Sequence, residues 1–188
     1  MDEVKPYLLV GSPMCKMFSQ LQVMQPWSQE KEDRWCEAVE HMKFVIKLYR
    51  KQINGGRLFL HEHPFQADSW EEECVQKLLS LYGVESIVMD QCQFGQCDEH
   101  GNPVKKPTRW MSNSKHVLEA IHARCQGTGG WCYRNGEWLQ HTPCYGKVAT
   151  AAAIYSFQLC KSILQGFVRE MQQRGRYDRA AKLVLPPT

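Results

Sequence analysis

The stretch that decides the fold is Tyr7-Leu8-Leu9-Val10-Gly11-Ser12-Pro13-Met14-Cys15-Lys16-Met17-Phe18-Ser19. Its apolar run predicts a buried strand, because a short apolar run that ends at turn residues is typical of a strand in a protein core. Gly-Ser-Pro then breaks the strand. The break places Cys15 in a loop, where a thiol is chemically accessible instead of packed in the core.

Two later segments repeat this arrangement of a strand followed by a polar loop. One is Arg57-Leu58-Phe59-Leu60-His61, which runs into Glu62-His63-Pro64, and the other is Ser86-Ile87-Val88-Met89-Asp90, which runs into Gln91-Cys92-Gln93-Phe94-Gly95. In a parallel sheet the carboxyl ends of the strands lie along one crevice. We therefore predict that Cys15, Glu62 and Gln93 converge there.

Helical patterns separate the strands. Ser28 is a candidate N-cap for a helix over residues 29–52, Asp68 is a candidate N-cap for a second helix, and one long helix is predicted over residues 150–173. A fourth strand is predicted at Pro107-Thr108-Arg109-Trp110-Met111. This alternation predicts an α/β fold, a mostly parallel sheet with flanking helices.

The chain length predicts a single domain. Its 188 residues are enough to bury a core, and we assign residues 1–173 to one α/β domain. Within it, residues 125–146 are rich in glycine and cysteine and form an excursion from the main pattern. Residues 174–188 are predicted to be a frayed basic tail.

Composition narrows the class of protein. Nine cysteines is an odd number, and the sequence shows neither a secretory signal nor an apolar run of membrane-spanning length, so we expect a soluble intracellular protein with reduced thiols. The net charge of +3 is compatible with nucleic-acid binding without requiring it. A dinucleotide-binding fingerprint is excluded, because no glycine-rich turn follows the first strand.

A cysteine after one strand and a glutamate after the next suit nucleophilic addition to an electron-poor ring. A thiolate at Cys15 can attack a ring carbon, while Glu62 hydrogen-bonds a ring nitrogen as charge develops. A thiol hydrolase that uses Cys15 with a histidine is a weaker alternative, because no histidine is placed as an obvious base.

These residues resemble the motifs of the cytosine-C5 DNA methyltransferases. Gly11-Ser12-Pro13-Met14-Cys15 with Phe18-Ser19 is similar to the family's nucleophile loop. Glu62-His63-Pro64 is similar to the family's Glu-Asn pair, and Gln93-Phe94-Gly95 is similar to its Gln-Tyr-Gly element. A methyltransferase-like module of retroelement polyproteins from microalgae and fungi is more similar still. The phrases that carry this closer resemblance, over about residues 5–170, include Phe59-Leu60-His61-Glu62-His63-Pro64, Asp90-Gln91-Cys92-Gln93-Phe94-Gly95, Lys106-Pro107-Thr108, Ser112-Asn113-Ser114 and Leu159-Cys160-Lys161.

The resemblance implies a partial Rossmann-like class I methyltransferase sheet that acts on cytosine in DNA. It places Cys15 at the nucleophile position and Glu62 at the position that binds a ring nitrogen. The residues at substrate-pocket positions would be Ser12, Pro13, Gln93, Lys106, Thr108 and Asn113. The resemblance also implies S-adenosylmethionine as cofactor, DNA as partner and a nuclear location.

The chain departs from the family pattern in ways that affect activity. Met14 replaces a proline of the nucleophile loop, His63 replaces the asparagine that usually holds this loop, and Gln96-Cys97-Asp98 stands where the family has Arg-x-Arg. The family's cofactor-binding half precedes the cysteine strand, and this chain has no room for it. We therefore expect the module to be inactive alone, with the missing half supplied by a second chain or segment.

The excursion carries a second candidate site. Cys125, Cys132, His141 and Cys144 offer soft thiolates and one imidazole, the donors that zinc prefers. Their spacing is irregular, so the alternative is an ordinary loop whose cysteines are unrelated. If zinc binds here, a noncatalytic module that contacts nucleic acid or protein is the rival to the methyltransferase interpretation.

Basic residues surround the fourth predicted strand. Lys105, Lys106, Arg109 and Lys115 lie beside Trp110, which is a pattern that can grip phosphates and stack a base. Lysines also protect an exposed edge strand from pairing with another chain. We favour the solvated edge strand.

Overall fold

The structure is a computed structural model that describes residues 5–19, 22 and 26–176. It has the α/β fold with flanking helices that the sequence predicts. The main sheet has four strands, β1 (Leu8–Gly11), β2 (Leu58–Pro64), β3 (Glu85–Asp90) and β4 (Pro107–Ser112), arranged in the order β1-β2-β4-β3.

The sheet is mixed, so the expected mostly parallel sheet is not confirmed. β1 and β2 are paired in parallel, with Gly11 opposite His61, whereas β4 is antiparallel to both β2 and β3. A parallel crossover from β3 to β4 would usually run through an α-helix, and the link between them contains only the 3-10 turn Gln91–Phe94. β1, β2 and β3 still point the same way. Their carboxyl ends therefore share one edge of the sheet with the start of β4.

β4 lies inside the sheet, so the predicted solvated edge strand is wrong. It pairs with β2 on one side and with β3 on the other. The Arg109 guanidinium carbon lies 4.6 Å from the centre of the Trp70 ring, and the Lys106 ammonium donates to the Ala152 carbonyl at 3.0 Å. Arg109 and Lys106 therefore contact residues of other elements of the fold.

The first helix follows its prediction and the second does not. In α1 (Gln29–Asn54), Ser28 is the N-cap, and its hydroxyl accepts a hydrogen bond from the Lys31 amide. Asp68 begins a 3-10 turn, Asp68–Glu71, and α2 (Glu73–Leu79) starts after it without a side-chain cap. Trp70 explains the tighter turn, because its buried indole donates to the Pro64 carbonyl at 2.8 Å.

The carboxyl-terminal helical region is divided into two helices. α3 (Lys115–Ala120) is capped by Ser114 and precedes the excursion. The single helix predicted over residues 150–173 is wrong, since α4 (Gly146–Ala151) ends before α5 (Phe157–Gln173) begins. Ser156 causes the break: its hydroxyl accepts from the Leu159 amide and donates to the Phe94 carbonyl.

The excursion contains a hairpin of β5 (Trp131–Arg134) and β6 (Glu137–Gln140), which are antiparallel. Its two-residue turn has positive φ at Asn135 (55°) and Gly136 (88°). Asn-Gly favours this turn because both residues tolerate left-handed backbone. The hairpin forms a separate sheet, and Cys132 is the one buried residue in its two strands.

Two hydrophobic clusters support the main sheet. One includes Met42 and Tyr49 of α1 with Phe59 of β2, and the other includes Trp110 of β4 with Leu159 of α5. Gly11 is required at the end of β1, because a Cβ there would lie 2.0 Å from the Tyr49 hydroxyl oxygen. The packed clusters therefore fix the strand ends that carry the candidate site.

The described helices include none that is long and apolar enough to cross a membrane. Within the predicted tail, Arg174 forms an ion pair with Glu170 at 2.7 Å, and the Arg176 guanidinium lies 5.5 Å from the Tyr7 ring centre. Residues 177–188 of that tail lie outside the described part of the chain.

Candidate functional site

The carboxyl ends of β1 and β2 bring the predicted catalytic residues to one edge of the sheet. The Ser12 hydroxyl, just after β1, donates to Glu62 Oε2 in β2. The Tyr155 hydroxyl, from the break between α4 and α5, donates to the same oxygen at 3.1 Å. Glu62 is only 4% exposed, so these contacts hold a buried carboxyl group.

The second oxygen of Glu62 is unpartnered within the described part of the chain. Oε1 is buried and has no hydrogen-bond partner among the described residues. Buried polar atoms in proteins are nearly always hydrogen-bonded, and those that are not need an explanation. A bound molecule that donates a hydrogen bond to Oε1 would complete the hydrogen bonding of this carboxyl group.

Cys15 lies within electrostatic reach of Glu62 and Lys106. Burial raises the pKa of the Cys15 thiol, the Glu62 charge raises it further, and the Lys106 ammonium lowers it. The thiol is therefore protonated at neutral pH in the resting protein, and Lys106 is the cation that can stabilise a thiolate there.

His61 and His63 lie on the opposite face of β2 from Glu62, where their rings stack with centroids 5.5 Å apart. Burial lowers their pKa values to about 3 and about 4, so both rings are neutral at physiological pH. The His63 ring donates from Nε2 to the Pro13 carbonyl at 3.1 Å, which leaves Nδ1 to accept from the Ser69 hydroxyl. His63 thus holds the loop that leads to Cys15, at the position where the resemblance implies an asparagine.

The predicted pocket residues on β4 are divided between its two ends. Thr108, near the start, accepts a hydrogen bond from Gln91 at 2.9 Å and lies close to Lys106. Asn113, after the other end, binds the backbone of Arg57 and Phe59 at the beginning of β2. The structure therefore brings Thr108 to the edge that carries Glu62 and leaves Asn113 at the far edge.

A second group of reactive side chains lies beyond β3. One ligand atom each from Cys92, Cys125, Cys132 and His141 lies within 4.8 Å of the others. The sequence predicted three of these residues but named Cys144 as the fourth. Lys106 lowers the pKa of Cys144 while burial raises it, so Cys144 lies in the surroundings of Lys106.

Gln93 belongs to this second group. Its side-chain amide donates to Cys132 Sγ at 3.5 Å and to Cys92 Sγ at 3.9 Å. Burial and the neighbouring thiols raise the pKa of Cys92 well above its usual range. Burial also raises the pKa of Cys132, so without a cation Cys92 and Cys132 favour the protonated thiol, and a bound metal ion would reverse that preference.

Sequence reasoning missed Tyr155 and Cys92. Tyr155 fell within a predicted continuous helix, although Ser156 is a good N-cap residue and could have indicated the break. Cys92 was assigned to a strand-end motif. Its partners, from Cys125 to His141, lie 33 to 49 residues further along the chain.

Comparisons of the chain with protein-family models, with curated proteins and with solved structures find no match. The function proposed below therefore depends on the geometry of the chain's own residues.

Proposed function

We propose that this chain is the pyrimidine-binding part of a cytosine-C5 DNA methyltransferase-like module, with Cys15 as nucleophile. The observation that carries the proposal is the buried, unpartnered Oε1 of Glu62 beside the Cys15 loop. A pyrimidine ring presents a nitrogen-bound donor and an electron-poor carbon, which match a carboxyl acceptor and a thiol.

The chemistry requires only addition. The Cys15 sulfur forms a bond to C6 of the ring, the C5–C6 double bond becomes single, and the proton of the thiol ends on C5. Glu62 holds the ring through its free oxygen, and Ser12 and Tyr155 keep the carboxyl group in place. Lys106 stabilises the thiolate that attacks. In duplex DNA the base would have to leave the helix first.

The described residues do not fit S-adenosylmethionine, so methyl transfer is not part of the proposed step. β1 is an edge strand that pairs only with β2, and no glycine-rich turn or ribose-binding acid adjoins it in the described part of the chain. We propose that further strands from a second chain or segment add to the open edge of β1, where Val10 is 44% exposed. DNA as partner and a nuclear location follow from the same proposal.

A DNA strand that contains a 5-azacytosine base, which keeps the amino donor of cytosine, tests the proposal without a methyl donor. This ring accepts thiols at C6, so incubation with the purified chain should give a covalent adduct that mass spectrometry maps to Cys15. Glu62→Gln should slow adduct formation by roughly 10²-fold, in the range typical of a lost acid or base group.

Two variants control the experiment. Cys15→Ser should form no adduct, whereas Cys160→Ser, which removes an exposed thiol, should react like the unmodified chain. Equal adduct formation by Cys15→Ser and the unmodified chain would contradict the proposal, and so would the absence of any adduct.

A second candidate function, a noncatalytic interaction module, is favoured by the exposed aromatic side chains of the hairpin. Tyr133 and Trp138 are 48% and 59% exposed, and their rings lie 5.1 Å apart. Exposed aromatic rings can stack on unpaired bases. Trp138→Ala should then weaken binding to a single-stranded oligonucleotide about tenfold, while Trp27→Ala, at another exposed site, should not.

A further inference from the structure

We propose that Cys92, Cys125, Cys132 and His141 form a structural zinc site that fastens the β5–β6 hairpin to the main sheet. The site is separate from the Cys15 and Glu62 site, and the proposal does not depend on the proposed function. Its ligands come from three parts of the chain. Cys92 lies in the turn after β3, Cys125 lies after α3, and the hairpin supplies Cys132 in β5 and His141 directly after β6.

The two distances from Cys125 Sγ to its neighbouring donors match tetrahedral zinc. The Cys125 and Cys132 sulfur atoms are 3.8 Å apart, and Cys125 Sγ lies 3.7 Å from His141 Nε2. Zinc bonds of about 2.3 Å to sulfur and about 2.0 Å to nitrogen give ligand separations of roughly 3.5–3.8 Å in a tetrahedron. A disulfide would need the sulfur atoms at about 2.05 Å, so the cluster is arranged for a shared ion and not for a cross-link.

The hairpin needs such a ligand because it has almost no core of its own. Each of its strands has four residues, and Trp131, Tyr133 and Trp138 are about half exposed. Isolated two-stranded hairpins are at best marginally stable in water. Cys132 is fully buried, and it points at the other three donors. The metal would thus take the place of an apolar core.

The residues around the four donors are arranged to support an ion. The Gln93 amide donates to the sulfur atoms of Cys132 and Cys92, as expected around thiolate ligands. The Cys125 amide donates to Asp90 Oδ2 at 2.8 Å, and the Arg124 side chain pairs with the same oxygen. These contacts hold the Cys125 segment, while His141 is fixed by backbone hydrogen bonding to Gly130.

The donor set favours zinc in a structural role. Three thiolates and one imidazole fill all four tetrahedral positions, so none remains for a catalytic water. The charges also balance well: three thiolates with Zn²⁺ leave about one negative charge, and the Arg134 guanidinium lies nearby, donating to the Cys92 carbonyl at 3.1 Å.

Metal content and a matched pair of cysteine variants test the site. The full chain, purified from medium with added zinc, should contain about one zinc ion per molecule by elemental analysis. Cys92→Ser should lose most of this zinc, whereas Cys144→Ser should keep it, because Cys144 is outside the cluster. A zinc-free unmodified chain, or equal zinc loss in both variants, would overturn the proposal.

A spectroscopic measurement on the unmodified chain covers the case in which Cys92→Ser does not fold. Cobalt(II) that replaces zinc should give intense visible bands typical of tetrahedral coordination and near-ultraviolet thiolate charge-transfer bands. Added zinc should abolish both. Weak visible bands typical of octahedral cobalt, without the thiolate bands, would show that the four side chains do not bind the ion together.

Discussion

The Glu62 edge of the main sheet and the β5–β6 hairpin carry the two candidate sites, and they are built by different physical means. Glu62 is positioned by a strand with packed clusters on both faces of its sheet, including Trp110 and Phe59. The hairpin exposes about half of its aromatic surface and directs one buried cysteine toward three side chains that could bind a metal ion. The comparison indicates that packing can orient a polar site where a core exists, and that the proposed zinc ion would have to replace packing where a core is missing.

Removal of metal should have the largest effect, and it should act on one region only. With a strong zinc chelator, amide protons of β5 and β6 should exchange at least about 100-fold faster, because the free energy of structural zinc binding is on the order of 10 kcal/mol. Amides of β2 and β4 should change little. Hydrogen exchange with mass spectrometry measures both regions in one sample. Equally faster exchange in both regions would show that metal does not stabilise the hairpin selectively.

Acid should act on the packed region. The pKa values of His61 and His63 are about 3 and about 4 in the folded protein, below the ordinary value of 6.5, so the unfolded chain binds more protons below pH 6.5. The free energy of unfolding should therefore fall as the pH drops from 6.5 to 4, by roughly 3–6 kcal/mol. Urea unfolding followed by tryptophan fluorescence, to which the buried Trp70 and Trp110 contribute, measures this fall.

His63→Asn provides the control for the acid effect, because asparagine can still donate to the Pro13 carbonyl but does not titrate. Its unfolding free energy should depend less on pH over the same range. An unchanged pH dependence in this variant would show that His63 does not contribute to acid sensitivity.

Loss of the Tyr155 hydroxyl should have a smaller effect on the Glu62 edge. Tyr155→Phe removes one hydrogen bond to the carboxyl group but keeps the ring, which packs 5.5 Å from Trp110. We expect a loss of about 1.5–3 kcal/mol in unfolding free energy, the usual contribution of a hydrogen bond to a charged group. Tyr145→Phe is the matched control, because Tyr145 is 73% exposed, and it should unfold like the parent.

The smallest expected effect is on the reactivity of Cys15. Since Glu62 raises the pKa of Cys15 and Lys106 lowers it, Glu62→Gln should speed alkylation by iodoacetamide at pH 8 and Lys106→Met should slow it, each by roughly threefold. Mass spectrometry of the Cys15 peptide gives the rates. Changes in the same direction in both variants would show that charge does not control this thiol.

Local patterns predicted a large part of the fold. Ser28 caps a helix as expected, and the four strand segments occur where the apolar runs end at turn residues. The meeting of Ser12 with Glu62 was also predictable, because the carboxyl ends of aligned strands share one edge. The reversal of β4 was not, since the direction of a strand depends on the path of the loop before it.

The second site was only partly predictable. Cys125, Cys132 and His141 lie in one short segment, so their residue types indicated metal binding. Whether Cys92 or Cys144 completes the set depends on which loop folds toward the hairpin. No local rule decides between them, because the turn after β3 meets the hairpin only through the tertiary fold.

The sequence by itself determined most of the elements, their caps and the types of side chain at the strand ends. The reason is that burial patterns and helix caps depend on a few neighbouring residues. Only the tertiary structure decided which distant groups meet. Tyr155 reaches Glu62 across 93 residues of sequence, and Cys92 joins a hairpin that begins 39 residues later. Such contacts depend on how sheet, helices and loops pack together, and that packing is a property of the whole chain.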